Sequence, residues 1–175
     1  MTRLLPIILA ACSVASDPAI DAQRRPEQVI SALSIADGAQ IADIGAGRGY
    51  FTGKLADAAG PRGHVVATDI DADALAAIPH HPRVEVRRVA PDDPGLEAGA
   101  YDLLFLARVD QYLPDRVRYF RALRPALRPG GRLAVLNKLS YRRAASDAAA
   151  AAGFRVTGGT DALPGQYLLI FEVAP

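Results

Sequence analysis

The sequence is poor in several features that would each point to a class of protein. It contains one cysteine, two lysines and no tryptophan among 175 residues. A single cysteine excludes an intramolecular disulfide. The formal net charge of +1 provides no overall field that would attract nucleic acid or an acidic membrane surface. No run of 18 apolar residues is present, which excludes an ordinary membrane-spanning helix.

The residues that are present predict one folded domain. Hydrophobic residues make up 50% of the sequence and charged residues 22%, a balance that excludes wholesale disorder. A chain of this length can bury about two thirds of its surface around one core. We place the domain at residues 26–175, after a linker over residues 13–25.

The first twelve residues have the layout of an export signal. Thr2-Arg3 precedes an apolar stretch, and Leu9-Ala10-Ala11-Cys12 resembles the lipobox of bacterial lipoproteins, whose cysteine becomes the lipidated first residue. We therefore expect residues 1–12 to be a signal segment and Cys12 to attach the protein to a membrane on the periplasmic side of the cell envelope. The alternative is a cytoplasmic protein with a short N-terminal tail or a misassigned start codon.

Helical and strand patterns alternate along the rest of the chain. Predicted helices cover residues 26–33, 51–59, 72–78, 114–127 and 142–152. Predicted strands cover residues 40–44, 64–68, 83–89, 101–107, 132–136, 154–156 and 166–173, with a loop over 90–100 and a turn over 129–131. Alternating helices and buried strands indicate an open, mostly parallel α/β sheet with helices on both faces. No helix separates the last two strands, which predicts an antiparallel hairpin at one sheet edge.

The glycine-rich turn after the first predicted strand is the most informative segment. Its glycines are spaced G-x-G-x-G, and Tyr50 stands where a dinucleotide-binding loop needs Gly or Ala. Asp43, two residues before the first glycine, would repel a phosphate and suits an amine-bearing ligand. Asp69 ends the second strand, where an acid accepts hydrogen bonds from ribose hydroxyls. The predicted ligand is a nucleoside with a cationic tail and no phosphates.

Three motifs together resemble the class I S-adenosylmethionine-dependent methyltransferases over residues 23–173. Residues 43–51 resemble the first motif of that family and residues 65–71 the second. Residues 127–133 resemble its leucine-lysine-proline-glycine-glycine motif, with Arg128 in place of lysine. The resemblance implies a Rossmann-like, doubly wound, mostly parallel seven-stranded sheet with an antiparallel edge hairpin, and S-adenosylmethionine as cofactor.

The resemblance also implies which residues bind the cofactor. They are Asp43, Gly45, Ala46, Gly47, Gly49, Tyr50, Asp69, Ile70, Asp92, Asp93, Ala107 and Arg108. Asp43 and the glycine loop are expected to hold the methionine part, and Asp69 the ribose, with Ile70 against the adenine. Asp92 or Asp93 is the candidate for the adenine amine, and a solvated acidic loop is the alternative for each. Ala107 and Arg108 are expected to pass near the sulfonium by their backbone.

The candidates on the acceptor side are Asp110, Gln111 and Tyr112. Related bacterial methyltransferase-domain proteins often carry a Tyr-His-His run at these positions. This chain has Asp110 and Gln111 there, so the two imidazole side chains are absent from this segment. Asp110 is a candidate base or cation ligand, with a cap for the helix near Pro114 as the alternative, and Tyr112 is expected in the core or in a lid. No catalytic base is predicted, because methyl transfer needs one only when the acceptor arrives protonated. No metal site is predicted either.

These observations predict S-adenosylmethionine-dependent methyl transfer to a small-molecule acceptor by in-line displacement. The alternative is a catalytically degenerate module of the cell envelope that binds S-adenosylmethionine or a partner. The small net charge disfavours a nucleic-acid substrate. Asp43 and Tyr50 disfavour a nicotinamide-dependent dehydrogenase.

Overall fold

The computed structural model describes residues 18–175. The predicted signal segment, with Cys12, lies outside the described residues. The helices are α1 (Pro18–Arg24), α2 (Pro26–Leu33), α3 (Thr52–Ala58), α4 (Ala72–Ala76), α5 (Arg116–Leu123) and α6 (Arg142–Ala151). The strands are β1 (Gln40–Ile44), β2 (His64–Asp69), β3 (Val84–Arg88), β4 (Tyr101–Ala107), β5 (Leu127–Lys138), β6 (Phe154–Thr160) and β7 (Gln166–Val173).

All seven strands form one sheet in the order β3-β2-β1-β4-β5-β7-β6. The pairs from β3 to β5 are parallel, whereas β7 runs antiparallel to both β5 and β6. The predicted fold class is confirmed, including the antiparallel hairpin at one edge. After β1 the chain adds β2 and β3 on one side of the sheet and then crosses over to add β4 and β5 on the other side. Ligands of open α/β sheets bind at the carboxyl ends of the strands at such a switch point, so a ligand is expected beside the ends of β1 and β4.

Apolar side chains cover both faces of the sheet, so the central strands are buried on two sides. On one face α5 and α6 contribute buried residues such as Phe120, Leu123 and Ala149. On the other face α2 and α3 contribute residues such as Leu33 and Leu55. This double burial explains why the central strands read as continuous apolar runs rather than alternating ones.

Several boundaries differ from those predicted. Residues 18–24, placed in the predicted linker, form α1. The predicted turn over residues 129–131 lies within an irregular part of β5, where the pairing register with β4 shifts. The helix predicted to end at residue 127 ends at Leu123, because Pro125 lacks the backbone N–H that would continue it. β6 continues to Thr160 through a second register shift.

Among residues 18–175, none of the helices is both long and apolar enough to cross a bilayer.

Candidate functional site

The predicted site residues meet at the carboxyl edge of the sheet. Ile44 pairs with Thr68 of β2 and with Leu106 of β4, so these three strands end side by side. β7 runs the other way, and its first residue, Gln166, pairs with Lys138 at the end of β5. The glycine loop, the end of β2 and the segment after β4 therefore surround one region.

Asp43 carries a carboxylate that is almost completely removed from water. Its side chain is 2% exposed, and its Oδ2 accepts a hydrogen bond from the Thr52 hydroxyl at 2.7 Å. Burial raises the pKa of Asp43 to about 6; the Thr52 hydrogen bond opposes this shift and the charge of Asp69 adds to it. No arginine or lysine within residues 18–175 forms an ion pair with Asp43. A cationic group of a ligand would supply the missing partner.

The glycine loop adopts a backbone shape that requires glycine. Gly45, Gly47 and Gly49 have φ angles of 69°, 56° and 79°, which L side chains rarely adopt. A Cβ on Gly45 would overlap Val109, and one on Gly49 would lie 2.9 Å from Cγ2 of Ile78. A Cβ on Gly47 would meet no atom within 4 Å. The loop is thus packed at both ends and open at Gly47, where a ligand can approach the backbone.

Asp69 ties this loop to the end of β2. Its Oδ2 accepts a hydrogen bond from the Gly47 amide at 2.8 Å, and its Oδ1 accepts one from the Asp71 amide at 3.0 Å. Each carboxylate oxygen can accept a second hydrogen bond, so contact with a ribose remains open. Asp69 is therefore a structural anchor of the loop in addition to its predicted binding role.

The predicted adenine side is exposed. Ile70 follows β2 with 53% of its surface accessible, an apolar side chain that a planar ring would cover. Asp93 accepts a hydrogen bond from the Gly95 amide at 2.9 Å within its own loop. Asp92 is solvated and lies 3.9 Å from a guanidinium nitrogen of Arg118.

The end of β4 carries a residue in an unusual conformation. Arg108 has a φ of 62°, while its amide donates to the Leu136 carbonyl at 2.7 Å. Its Nη2 lies 3.4 Å from Oε1 of Gln166. Its Nε is buried and has no hydrogen-bond partner within the described part of the chain. Ala107, just before it, is half-buried.

Asp110 does not cap the following helix. That helix, α5, is capped by Asp115, whose carboxylate accepts from the Arg118 amide. Asp110 is fully buried and accepts hydrogen bonds from Asn137 and, at 3.3 Å, from Nε of Arg116. Both oxygens are occupied by protein groups, so Asp110 has the surroundings of a structural ion pair rather than of a solvent-accessible base.

The other two acceptor-side candidates differ from each other. Gln111 has a buried Oε1 without a hydrogen-bond partner among residues 18–175. Tyr112 is 77% exposed, so of its two predicted places, the core or a lid, the core is wrong.

The sequence analysis missed the contribution of α1. The Tyr50 hydroxyl donates a hydrogen bond to Asp21, and the Arg24 guanidinium carbon lies 4.4 Å from the centre of the Tyr50 ring. Nε2 of Gln166 donates to the Gln23 carbonyl at 2.7 Å. Two features of the sequence could have predicted α1: Pro18 at its first position and Asp21 in its first turn.

The described residues place no histidine near this edge. His64 begins β2, and His80 and His81 lie between α4 and β3, so all three lie toward the amino ends of the strands. The nearby phenols are held protonated: burial and the hydrogen bond to Asp21 raise the pKa of Tyr50, and burial raises that of Tyr167. No group of three or more metal-ligating side chains is found within residues 18–175.

Comparison with known proteins identifies a family and relatives of this chain. Residues 42–133 match the family described as "Methyltransferase domain". A trans-aconitate 2-methyltransferase of Azoarcus sp. (strain BH72) is 32% identical over 124 residues, covering 67% of this chain and 46% of that protein. A trans-aconitate 2-methyltransferase of Deinococcus radiodurans is 37% identical over 97 residues, covering 55% of this chain and 37% of that protein.

A solved structure has the same fold. The crystal structure of a SAM-dependent methyltransferase from Aquifex aeolicus superposes with a TM-score of 0.82 at 18% identity, covering 90% of this chain and 94% of that one. At this identity the likeness establishes the fold alone. The matched part of the chain spans less than half the length of the two curated relatives, 46% and 37%.

Proposed function

The chain belongs to the methyltransferase-domain family, and we propose that it transfers a methyl group from S-adenosylmethionine to a small-molecule acceptor. The observation that carries the proposal is the meeting of Asp43, the glycine loop and Asp69 at one end of the sheet. Asp43 beside the loop disfavours a pyrophosphate and suits an ammonium, and Asp69 at the end of β2 suits a ribose. The two relatives named for trans-aconitate add carboxylic acids to the acceptors worth testing.

The described residues fit the cofactor. Asp43 is a buried carboxylate without a cationic partner, the backbone at Gly47 is open to a close approach, and Ile70 offers an apolar surface. When bound, S-adenosylmethionine supplies an electrophilic methyl group on a good leaving group. In this proposal Asp43 pairs with the ammonium, Asp69 accepts from the ribose hydroxyls, and Ile70 packs against the adenine.

The role of the protein in this reaction is to position rather than to transfer protons. Methyl transfer is an in-line displacement, so its rate depends on the alignment of donor and acceptor and on exclusion of water. The segment from Ala107 to Val109 lies against the glycine loop through the Gly45–Val109 contact. Its backbone can therefore orient an acceptor relative to the donor. A catalytically degenerate module gains no support from the fold or from the comparisons.

Calorimetry on the full chain tests the proposal. We expect S-adenosylmethionine and its demethylated product to bind at micromolar level, about −8 kcal/mol. Asp69→Ala should weaken this binding at least tenfold, because it removes the ribose acceptor and releases the Gly47 amide. Asp73→Ala, in the first turn of α4, is the matched control and should bind as the wild type does.

Two outcomes would contradict the proposal. One is a folded wild-type protein that binds neither compound. The other is equal affinity of the Asp69→Ala and Asp73→Ala variants for the cofactor, which would show that Asp69 does not contribute to cofactor binding.

Membrane attachment through a lipidated Cys12 is a separate proposal that rests on the Leu9-Ala10-Ala11-Cys12 pattern. We expect palmitate label to enter the wild-type protein in bacterial cells and to be lost from Cys12→Ser. Equal labelling of the two proteins, or labelling of neither, would favour the cytoplasmic alternative.

A further inference from the structure

The glycine loop rests on a residue of the segment that follows β4. A Cβ on Gly45 would overlap Val109, so the Val109 side chain lies directly against the Gly45 backbone. Asp69 holds the same loop at a second point, by accepting a hydrogen bond from the Gly47 amide at 2.8 Å. The place of Val109 therefore limits the shapes that the first part of the loop can adopt.

The backbone that presents Val109 is strained. Arg108, immediately before it, has a φ of 62°, a left-handed conformation that is unfavourable for a residue with a Cβ. Such strain persists only where the surrounding contacts over-determine the conformation. One of these contacts is the hydrogen bond from the Arg108 amide to the Leu136 carbonyl at 2.7 Å. A second contact is needed after Val109 to prevent the segment from relaxing away from the loop.

Asp110 provides this second contact through a buried hydrogen bond to the end of β5. Its Oδ1 accepts from Nδ2 of Asn137, and both side chains are fully buried. Oδ1 of Asn137 accepts from the Lys138 amide at 2.8 Å, so the amino group of Asn137 is the end that faces Asp110. A hydrogen bond to a charged group is stronger than a neutral one, and breaking it here would leave a buried carboxylate without its partner.

Arg116 completes the surroundings of Asp110 from α5. Its Nε donates to Oδ2 of Asp110 at 3.3 Å. Asp110, Asn137 and Arg116, which we call the Asp110 tether, thus join the segment after β4 to β5 and to α5. Among residues 18–175, the printed contacts of Asp110 go to this tether rather than to the glycine loop. Any effect of Asp110 on the loop must therefore pass through Val109.

The amides of the glycine loop report its shape. The Gly45 and Ala46 amides donate to the Thr68 carbonyl at 2.8 and 2.9 Å, and the Gly49 amide donates to the Ala46 carbonyl at 2.9 Å. With the Gly47 amide, four hydrogen-bonded donors lie within five residues. Hydrogen-bonded amides exchange slowly with solvent only while the local structure stays closed, so their exchange measures how firmly the loop is held.

We propose that Asp110 and Asn137 are positioning residues, which hold Val109 against Gly45 and thereby keep the glycine loop in the shape that binds the cofactor. The hold on the loop follows from the contacts of the protein itself, whereas its effect on cofactor binding rests on the proposed function. Neither residue touches the cofactor in this proposal. The two side chains act as a pair, an amide donor facing a carboxylate acceptor.

Exchanging the two side chains tests this pairing. Asn137→Asp places a second carboxylate against Asp110 and breaks the tether. Adding Asp110→Asn to Asn137→Asp restores an amide donor facing a carboxylate. The exchanged pair still offers one oxygen to Nε of Arg116 and one to the Lys138 amide, which are the remaining partners in the wild type.

Arg132→Gln is the matched control on the same strand. Arg132 lies near the other end of β5, where its Nη2 donates to the Leu33 carbonyl at 2.9 Å and to the Ser34 carbonyl at 3.2 Å. The substitution removes long-range hydrogen bonds of β5 away from the glycine loop. It therefore separates a general loss of stability from a loss of hold on the loop.

The measurements are amide hydrogen exchange over residues 45–49 and calorimetry with S-adenosylmethionine, both on the full chain. We expect Asn137→Asp to speed exchange of the loop amides and to weaken cofactor binding, each at least tenfold. The double variant should return both quantities to near the wild-type values. Arg132→Gln should leave both unchanged even where thermal unfolding shows a lower melting temperature. Asn137→Ala, which removes the donor without adding charge, takes the place of Asn137→Asp if that variant does not fold.

The outcomes separate the tether from the proposed function. A folded wild-type protein that does not bind the cofactor would overturn the proposed function, while exchange of the loop amides would still test the tether. The tether is overturned when the loop of folded Asn137→Asp exchanges as the wild type does, or when the double variant exchanges as fast as Asn137→Asp. It is also overturned when Arg132→Gln, at an equal fall in melting temperature, speeds the loop amides equally.

Discussion

Replacing Asp43 by Asn is expected to weaken S-adenosylmethionine binding at least tenfold and to remove a pH-dependent loss of stability. The carboxylate is 2% exposed and has a hydroxyl rather than a cation as its partner. A hydrogen bond to a charged group is worth about 1.5–3 kcal/mol, enough to account for the loss of affinity. The same burial that makes Asp43 a strong partner for an ammonium destabilises the protein without ligand.

The sign of the stability effect follows from the raised pKa. Because folding raises the pKa of Asp43 from 3.8 to about 6, folding favours the protonated form. The stability contributed by protonation is complete below pH ~4 and is lost as the pH rises through ~6. A shift of about two units corresponds to about 3 kcal/mol. The free energy of unfolding of Asp43→Asn, measured relative to the wild type, should therefore increase by about this amount between pH 4 and 7.

Denaturant unfolding at several pH values and calorimetry with S-adenosylmethionine provide the two measurements. Asp73→Asn is the control, because that side chain lies in the first turn of α4 and away from Asp43. For the wild type, affinity should fall below pH ~6, where Asp43 becomes protonated in the free protein. A stability difference between Asp43→Asn and the wild type that stays constant with pH, together with unchanged affinity, would show that Asp43 is an uncharged packing residue.

Gly45→Ala is expected to damage both stability and cofactor binding far more than Gly47→Ala. Both glycines have positive φ, so each alanine costs about 1–2 kcal/mol in backbone strain. Only at Gly45 does the added Cβ overlap Val109, coming 3.0 Å from its Cγ1. Valine has little rotamer freedom, and relieving such overpacking costs about 1–3 kcal/mol more. A displaced loop would also disturb the hydrogen bond from the Gly47 amide to Asp69.

Thermal unfolding and calorimetry of the two alanine variants measure this difference. We expect Gly45→Ala to show the larger fall in melting temperature and at least tenfold weaker binding. Adding Val109→Ala to Gly45→Ala should restore part of the stability, because it removes the overlapping methyl groups. Equal effects at Gly45 and Gly47, with no rescue by Val109→Ala, would mean that backbone strain alone sets the requirement for glycine.

The local sequence pattern was sufficient to predict the fold class and the position of the glycine loop. β1 and β4 have the predicted bounds, since a short apolar run between turn residues leaves little choice of conformation. The spacing of Asp43 from the glycines indicated a carboxylate beside an open loop, and Asp43 lies there. Asp71 caps α4 by accepting from the amides of Asp73 and Ala74, a contact between neighbours in sequence.

What the sequence by itself determined is therefore the order of the strands and helices and the position of the glycine loop, because both depend on residues close together in the chain. Only the tertiary structure decided the state of Asp110, whose partner Asn137 is 27 residues away. It also brought Arg24 near Arg108 through Gln166, whose bond to Gln23 spans 143 residues. Contacts of this separation arise from how helices and strands pack, and a one-dimensional pattern carries no record of them.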